Sequence, residues 1–192
     1  MRHNRSTVTA AAAVAGVVLL SGTPASHAAA VEREVVSSDE SGDVEADCGE
    51  DSGLVAATDV TEVAYRIGDA PAHQNPGVWA VKIRITHGET LTDDGHEHRA
   101  VTKFNHEADD YRLVSTLDTA TLAVRQDDAW AEVVPTWMVA KGGDGKLIVK
   151  FPVAVFGPAF EMDELRTKLV VVGTSIVDRT ATEDALPVYP PR

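Results

Sequence analysis

Hydrophobic and polar positions alternate with period two over most of the chain beyond residue 54. In the clearest run, 78–87, Trp79, Val81, Ile83, Ile85 and His87 alternate with Ala80, Lys82, Arg84 and Thr86. One side is apolar and the other basic, the pattern of a half-buried β-strand. Val63, Tyr65 and Ile67 alternate in the same way just before it. Further β-rich runs cover 100–105, 111–118, 121–126, 129–134, 136–140, 146–156 and 165–176. Gly142-Gly143-Asp144-Gly145, lying between two such runs, predicts a hairpin, because glycine and aspartate accept positive φ at little cost. Asp109-Asp110 and Asp127-Asp128 mark other turns. Only 160–168 has helical spacing, with Met162, Leu165 and Leu169 after Pro158, which predicts one or two helical turns. Many short strands at this spacing predict an all-β domain. The expected architecture is an antiparallel β-sandwich, immunoglobulin- or jelly-roll-like, with at most one short helix.

The ends of the chain have a different texture. Arg2, His3 and Arg5 open it, an apolar-rich run fills 8–20, and Ser21, Gly22 and Pro24 break any helix. Ser26-His27-Ala28 then supplies the small-x-small pattern that signal peptidase accepts. Residues 1–28 therefore read as a signal peptide. Their apolar run is too short to span about 30 Å of hydrocarbon, so no stable membrane insertion is expected. Between residues 29 and 53, nine acids stand against Arg33 alone, with serines and glycines between them and no aromatic. Such a stretch buries too little apolar surface to offset its conformational entropy, which predicts a disordered acidic tail. Residues 54–192 remain for the sandwich, enough to bury a core without staples.

Charge and cysteine usage narrow the partners. The 192 residues carry a formal charge of −13. Cleavage after residue 28 would remove Arg2 and Arg5 but no acid, taking it to −15. A chain that acidic repels nucleic acid phosphates and anionic lipid as a whole. Cys48 is the sole cysteine, so no internal disulfide exists and the apolar core must stabilise the fold.

Catalytic signatures are absent. There is no Gly-x-Ser-x-Gly, and Ser52, Ser115 and Ser175 have no activating local context. His96-Glu97 and His106-Glu107 each begin like a zinc-protease helix, but no second histidine follows four residues on. The acid doublets at 93–94, 109–110 and 127–128 read as turns, since glycosidic chemistry needs two carboxyls across a cleft. One cluster stands apart: His73, His87, His96, His98 and His106 fall within 34 residues. In an extended segment His96 and His98 point to one side. Joined by His106 and an acid such as Asp94 or Glu107, they would suit Zn²⁺ or Cu²⁺. Oxygen donors from Asp93, Asp94 and Glu97 would suit Ca²⁺ instead. Trp79, Trp130 and Trp137 would make a sugar-stacking platform only if they lined one face; burial beside aliphatic residues is the default.

The order of several segments also carries a resemblance. Asp59-Val60-Thr61-Glu62-Val63 opens the domain, and a basic-faced strand ends in Ile85-Thr86-His87. Leu113-Val114-Ser115-Thr116-Leu117-Asp118 and Lys150-Phe151-Pro152-Val153-Ala154-Val155-Phe156-Gly157 follow, and Asp178 with Asp184-Ala185-Leu186-Pro187 closes the pattern. This cadence resembles secreted actinobacterial β-sandwich proteins of the DOMON and family-9 carbohydrate-binding type. The resemblance implies a ligand-binding or accessory sandwich, some relatives of which hold sugar, haem or calcium. The expectation is a secreted, non-catalytic module for a polysaccharide, a partner protein or an ion. A metal-binding protein centred on His96, His98, His106 and Asp94 is the second reading, and an extracellular hydrolase the third.

Overall fold

The computed structural model describes residues 33–40, 42–69, 79–88, 95–143, 145–157, 160–182 and 184–189. The expected leader, Asp93, Asp94 and His73 lie outside the described residues. Among those described, no helix is long and apolar enough to cross a membrane. Two antiparallel sheets face each other, as the alternation requires. The smaller sheet uses β1 (Arg33–Ser38), β2 (Val60–Asp69), β3 (Trp79–His87), β8 (Val139–Gly143) and β9 (Lys146–Pro152), in the order β1-β2-β3-β9-β8. The larger uses β4 (His98–His106), β5 (Asp109–Ser115), β6 (Ala120–Gln126), β7 (Ala129–Val133), β10 (Phe160–Val171) and β11 (Val177–Ala181). Its order is β11-β10-β4-β5-β6-β7, and β12 (Leu186–Tyr189) pairs with the start of β10.

Inward residues of both sheets make one core. Tyr65, Ile67, Ile83, Ile85, Leu147 and Phe151 come from the smaller sheet; Phe104, Leu113, Leu122, Phe160, Met162 and Leu165 come from the larger. The Tyr65 hydroxyl crosses between sheets to Thr167 Oγ1 at 2.8 Å, which also lies 2.8 Å from Thr102 Oγ1. Burial pushes the Tyr65 phenol up to about 12, so it remains a protonated member of this hydroxyl chain. The predicted hairpin forms between β8 and β9, where Gly143 and Gly145 take φ of 140° and 66°. Asp127-Asp128 does connect β6 to β7. Asp109-Asp110 instead opens β5, and Glu107-Ala108 makes that turn.

Two expectations fail, each for a physical reason. No helix forms over 160–168, which belongs to β10. A β-bulge at Asp163–Glu164, with Glu164 at φ 48°, inserts one residue between inward Met162 and inward Leu165. That insertion turns a period of two into a spacing of three and imitates a helix. The α-helix is instead α1 (Ser52–Thr58), capped by Asp51, whose carboxylate accepts from Gly53 N and Leu54 N at 2.8 and 3.0 Å.

Nor are residues 33–53 structureless. Strand β1 pairs with β2 over Arg33–Ser38, Glu45 exchanges two 2.9 Å backbone bonds with Val177, and Glu50 accepts from both Ser175 N and Ser175 Oγ. Main-chain pairing to a preformed sheet edge needs no apolar side chain, and the charge count of the segment does not register it.

Candidate functional site

His98 and His106 do not converge. His98 opens β4 and His106 closes it, both on the inward side at 3% and 6% exposure. Eight residue steps of about 3.3 Å hold them roughly 26 Å apart, so they cannot share an ion. His96 is exposed in the bend before β4, while Glu97 beside it pairs with Arg99 at 2.7 Å. His106 fills an aromatic nest, 5.1 and 5.5 Å from the rings of Phe160 and Phe156, with Nδ1 3.2 Å from the Glu161 carbonyl. His98 and His106 therefore do not hold one Zn²⁺ or Cu²⁺ ion together, because they sit at opposite ends of one strand, and Asp94 of the expected set lies outside the described residues. The tryptophans also separate. Trp79 opens β3, Trp130 lies on β7 and Trp137 in the connection to β8.

Instead, the donor atoms brought together are carboxylates. Asp39, Asp43 and Asp178 hold oxygens within 4.8 Å of one another, where the segment after β1 folds over β11. Asp178 is 2% exposed; its two oxygens accept from Val60 N and Arg179 N at 2.5 and 2.7 Å. Burial, opposed by those two bonds and reinforced by the Asp39 and Asp43 charges, leaves its carboxyl above the ordinary 3.8. Asp39 is raised likewise, by burial first and Asp43 next, and its Oδ2 has no hydrogen-bond partner. All-oxygen donors of this kind match hard cations and not the borderline metals that imidazole selects. No local spacing could have signalled a cluster drawn from both ends of the domain.

The outward faces carry the opposite charge. The smaller sheet projects Arg66, Lys82, Arg84, Lys141, Lys146 and Lys150 outward, by register and burial alternation. On the larger sheet Arg99, Lys103, Arg112 and Arg125 do so, as do Arg166, Lys168 and Arg179. Every lysine and arginine whose side chain is described thus stands on one of two sheet faces. Acids crowd the segment from Asp39 to Asp51 and turns such as 107–109 and 127–128.

Strand geometry creates a shallow receptacle on the larger face. Arg112, Lys103 and Arg166 stand abreast on β5, β4 and β10, and Lys168 and Arg179 stand abreast one step along. Small residues Val101 and Ala181 leave a depression of about 270 Å³ walled by Lys103, Arg166, Lys168 and Arg179. Its lining is mostly apolar, to which the aliphatic stems of those side chains contribute. Arg179 reaches Glu45 and Arg166 reaches Glu164, whereas Lys103 and Lys168 make no ion pair among the described residues. Arg112 lies 4.4 Å over the Trp130 ring. Period-two placement of Lys103, Arg166 and Lys168 was the available sequence signal for this face. No family model, curated protein or solved structure matches this chain.

Proposed function

We propose that this protein is an exported, non-catalytic binding module whose ligand is an anionic polysaccharide held on the outward face of β4, β10 and β11. The observation that carries the reading is charge segregation: in a chain of net charge −13, the described bases stand on the two sheet faces, and Lys103, Arg166, Lys168 and Arg179 surround a depression of about 270 Å³. Adjacent strands lie about 4.8 Å apart and same-face residues roughly 6.7 Å apart along a strand. That grid meets carboxylate or phosphate groups repeating along a sugar polymer. Lysine heads act as point charges, while Arg166 and Arg179 offer planar forks that suit carboxylate or phosphate. The apolar stems below give sugar rings a surface to lie on. The export pattern at residues 1–28 supports an extracellular ligand.

Retention of the full chain on immobilised polygalacturonate, against a neutral glucan, tests the reading. Retention on the acidic polymer alone is expected, with about tenfold weaker binding for Lys103→Glu/Lys168→Glu, two close charge contacts being reversed. Equal retention on both polymers, or on neither, would sink the proposal. Polymer shortened after incubation would overturn its non-catalytic part.

A further inference from the structure

The smaller sheet carries its own basic row, made of residues unconnected to the depression. Register places Arg66, Lys82 and Lys150 abreast on β2, β3 and β9, with Glu34 of β1 at the end of the row. Arg84 stands one step along, bonded to Glu62 at 2.7 Å. The row is a concentrated positive field. Partial burial, then the charges of Lys150, Arg84 and Arg66, lower the Lys82 ammonium below its usual range, while Glu34 opposes them. A carboxylate or phosphate laid across the row would relieve that crowding.

The two faces look in opposite directions. Sheets in a sandwich pack about 10 Å apart, with the shared core between them here. A polymer passing from one face to the other by the β1–β11 side would meet exposed Asp43 and half-buried Asp39, with buried Asp178 beneath them, carboxylates that lie within 4.8 Å of one another. Like charge there opposes a polyanion's wrapping round the edge. We propose that the two outward faces are separate docking surfaces for anionic polysaccharide, so that one molecule bridges two polymer chains. This rests on the reading above and adds a second surface to it. Bridging converts a weak contact into retention within a matrix, because the second contact forms at high local concentration.

Light scattering of full chain mixed with soluble polygalacturonate tests it, alongside direct binding measured on the same samples. The wild type is expected to cross-link the polymer, with scattering highest near equal numbers of faces and polymer segments. Variants Lys82→Glu/Lys150→Glu and Lys103→Glu/Lys168→Glu are each expected to keep binding, within about tenfold, yet lose the scattering. Glutamine variants at the same four positions, with unchanged melting curves, separate lost charge from lost fold. Cross-linking that persists in either single-face variant overturns the proposal. So does a wild type that binds without cross-linking, or binding abolished by altering one face alone. Absence of any wild-type binding removes the single-face reading as well, and so distinguishes the two failures.

Discussion

Asp178 shows how one buried side chain joins distant parts of this chain. Its carboxylate accepts from Val60 N at the start of β2 and from Arg179 N on β11, and so ties the smaller sheet to the larger. Asp178→Ala would strand the buried Val60 amide, at a cost of about 1–3 kcal/mol measured by chemical denaturation. The neighbouring charges act in the opposite sense. Because Asp39 and Asp178 titrate above 3.8 in the folded state, the folded protein binds more protons than the unfolded chain between 3.8 and those raised values. The strain of keeping both ionised is full at neutral pH, and falling pH relieves it through that window. Asp43→Asn should therefore stabilise the protein at pH 7 by on the order of 0.5 kcal/mol, about 1–2 °C in Tm. That gain should shrink towards pH 4, and a gain independent of pH would contradict the cluster.

At the scale of elements, β10 holds the larger sheet together, pairing with β4, β11 and β12, and its bulge decides which residues face the core. Deleting Glu164 would remove the extra residue and leave Phe160, Met162, Leu165 and Leu169 in an uninterrupted period of two, all facing the core. A cooperative thermal transition is expected to survive the deletion, and its loss would contradict the assignment of Glu164 as the extra residue. Glu164→Gly, which accepts φ 48° freely, should melt at or above the wild-type temperature. The same bulge explains what was legible in the sequence. Strand β3 has no insertion, and its buried and basic faces could be read directly from 79–87. In β10 one extra residue disguised a strand as a helix. The segment 33–50 was misread because its attachment runs through backbone bonds and scattered carboxylates, which composition does not encode. His98 and His106 stood close in sequence but at opposite ends of a strand that holds them apart. The basic faces were readable strand by strand, since period two puts Lys82 and Arg84 opposite the core. Their assembly into rows needed the register between strands.

Across the whole molecule, charge is sorted by region, and that sorting fixes how an anionic ligand should respond to salt. Repulsion from the net charge of −13 and attraction to the basic faces act over different distances. At 0.01 M ionic strength the screening length is about 30 Å, so a polyanion approaching either face also feels the acids at Asp39, Asp43 and the turns. Near 0.15 M it falls to about 8 Å, which silences distant acids and leaves Lys103, Arg166, Lys168 and Arg179 around the depression. At 1 M, with about 3 Å of screening, these contacts also fade. Affinity for polygalacturonate should accordingly pass through a maximum at intermediate salt, as followed by calorimetric titration at several ionic strengths. A purely basic protein would weaken steadily from the lowest salt upward. If this chain did the same, its acids would have no influence on the bound polymer, and the edge between the faces would present no barrier to a polyanion.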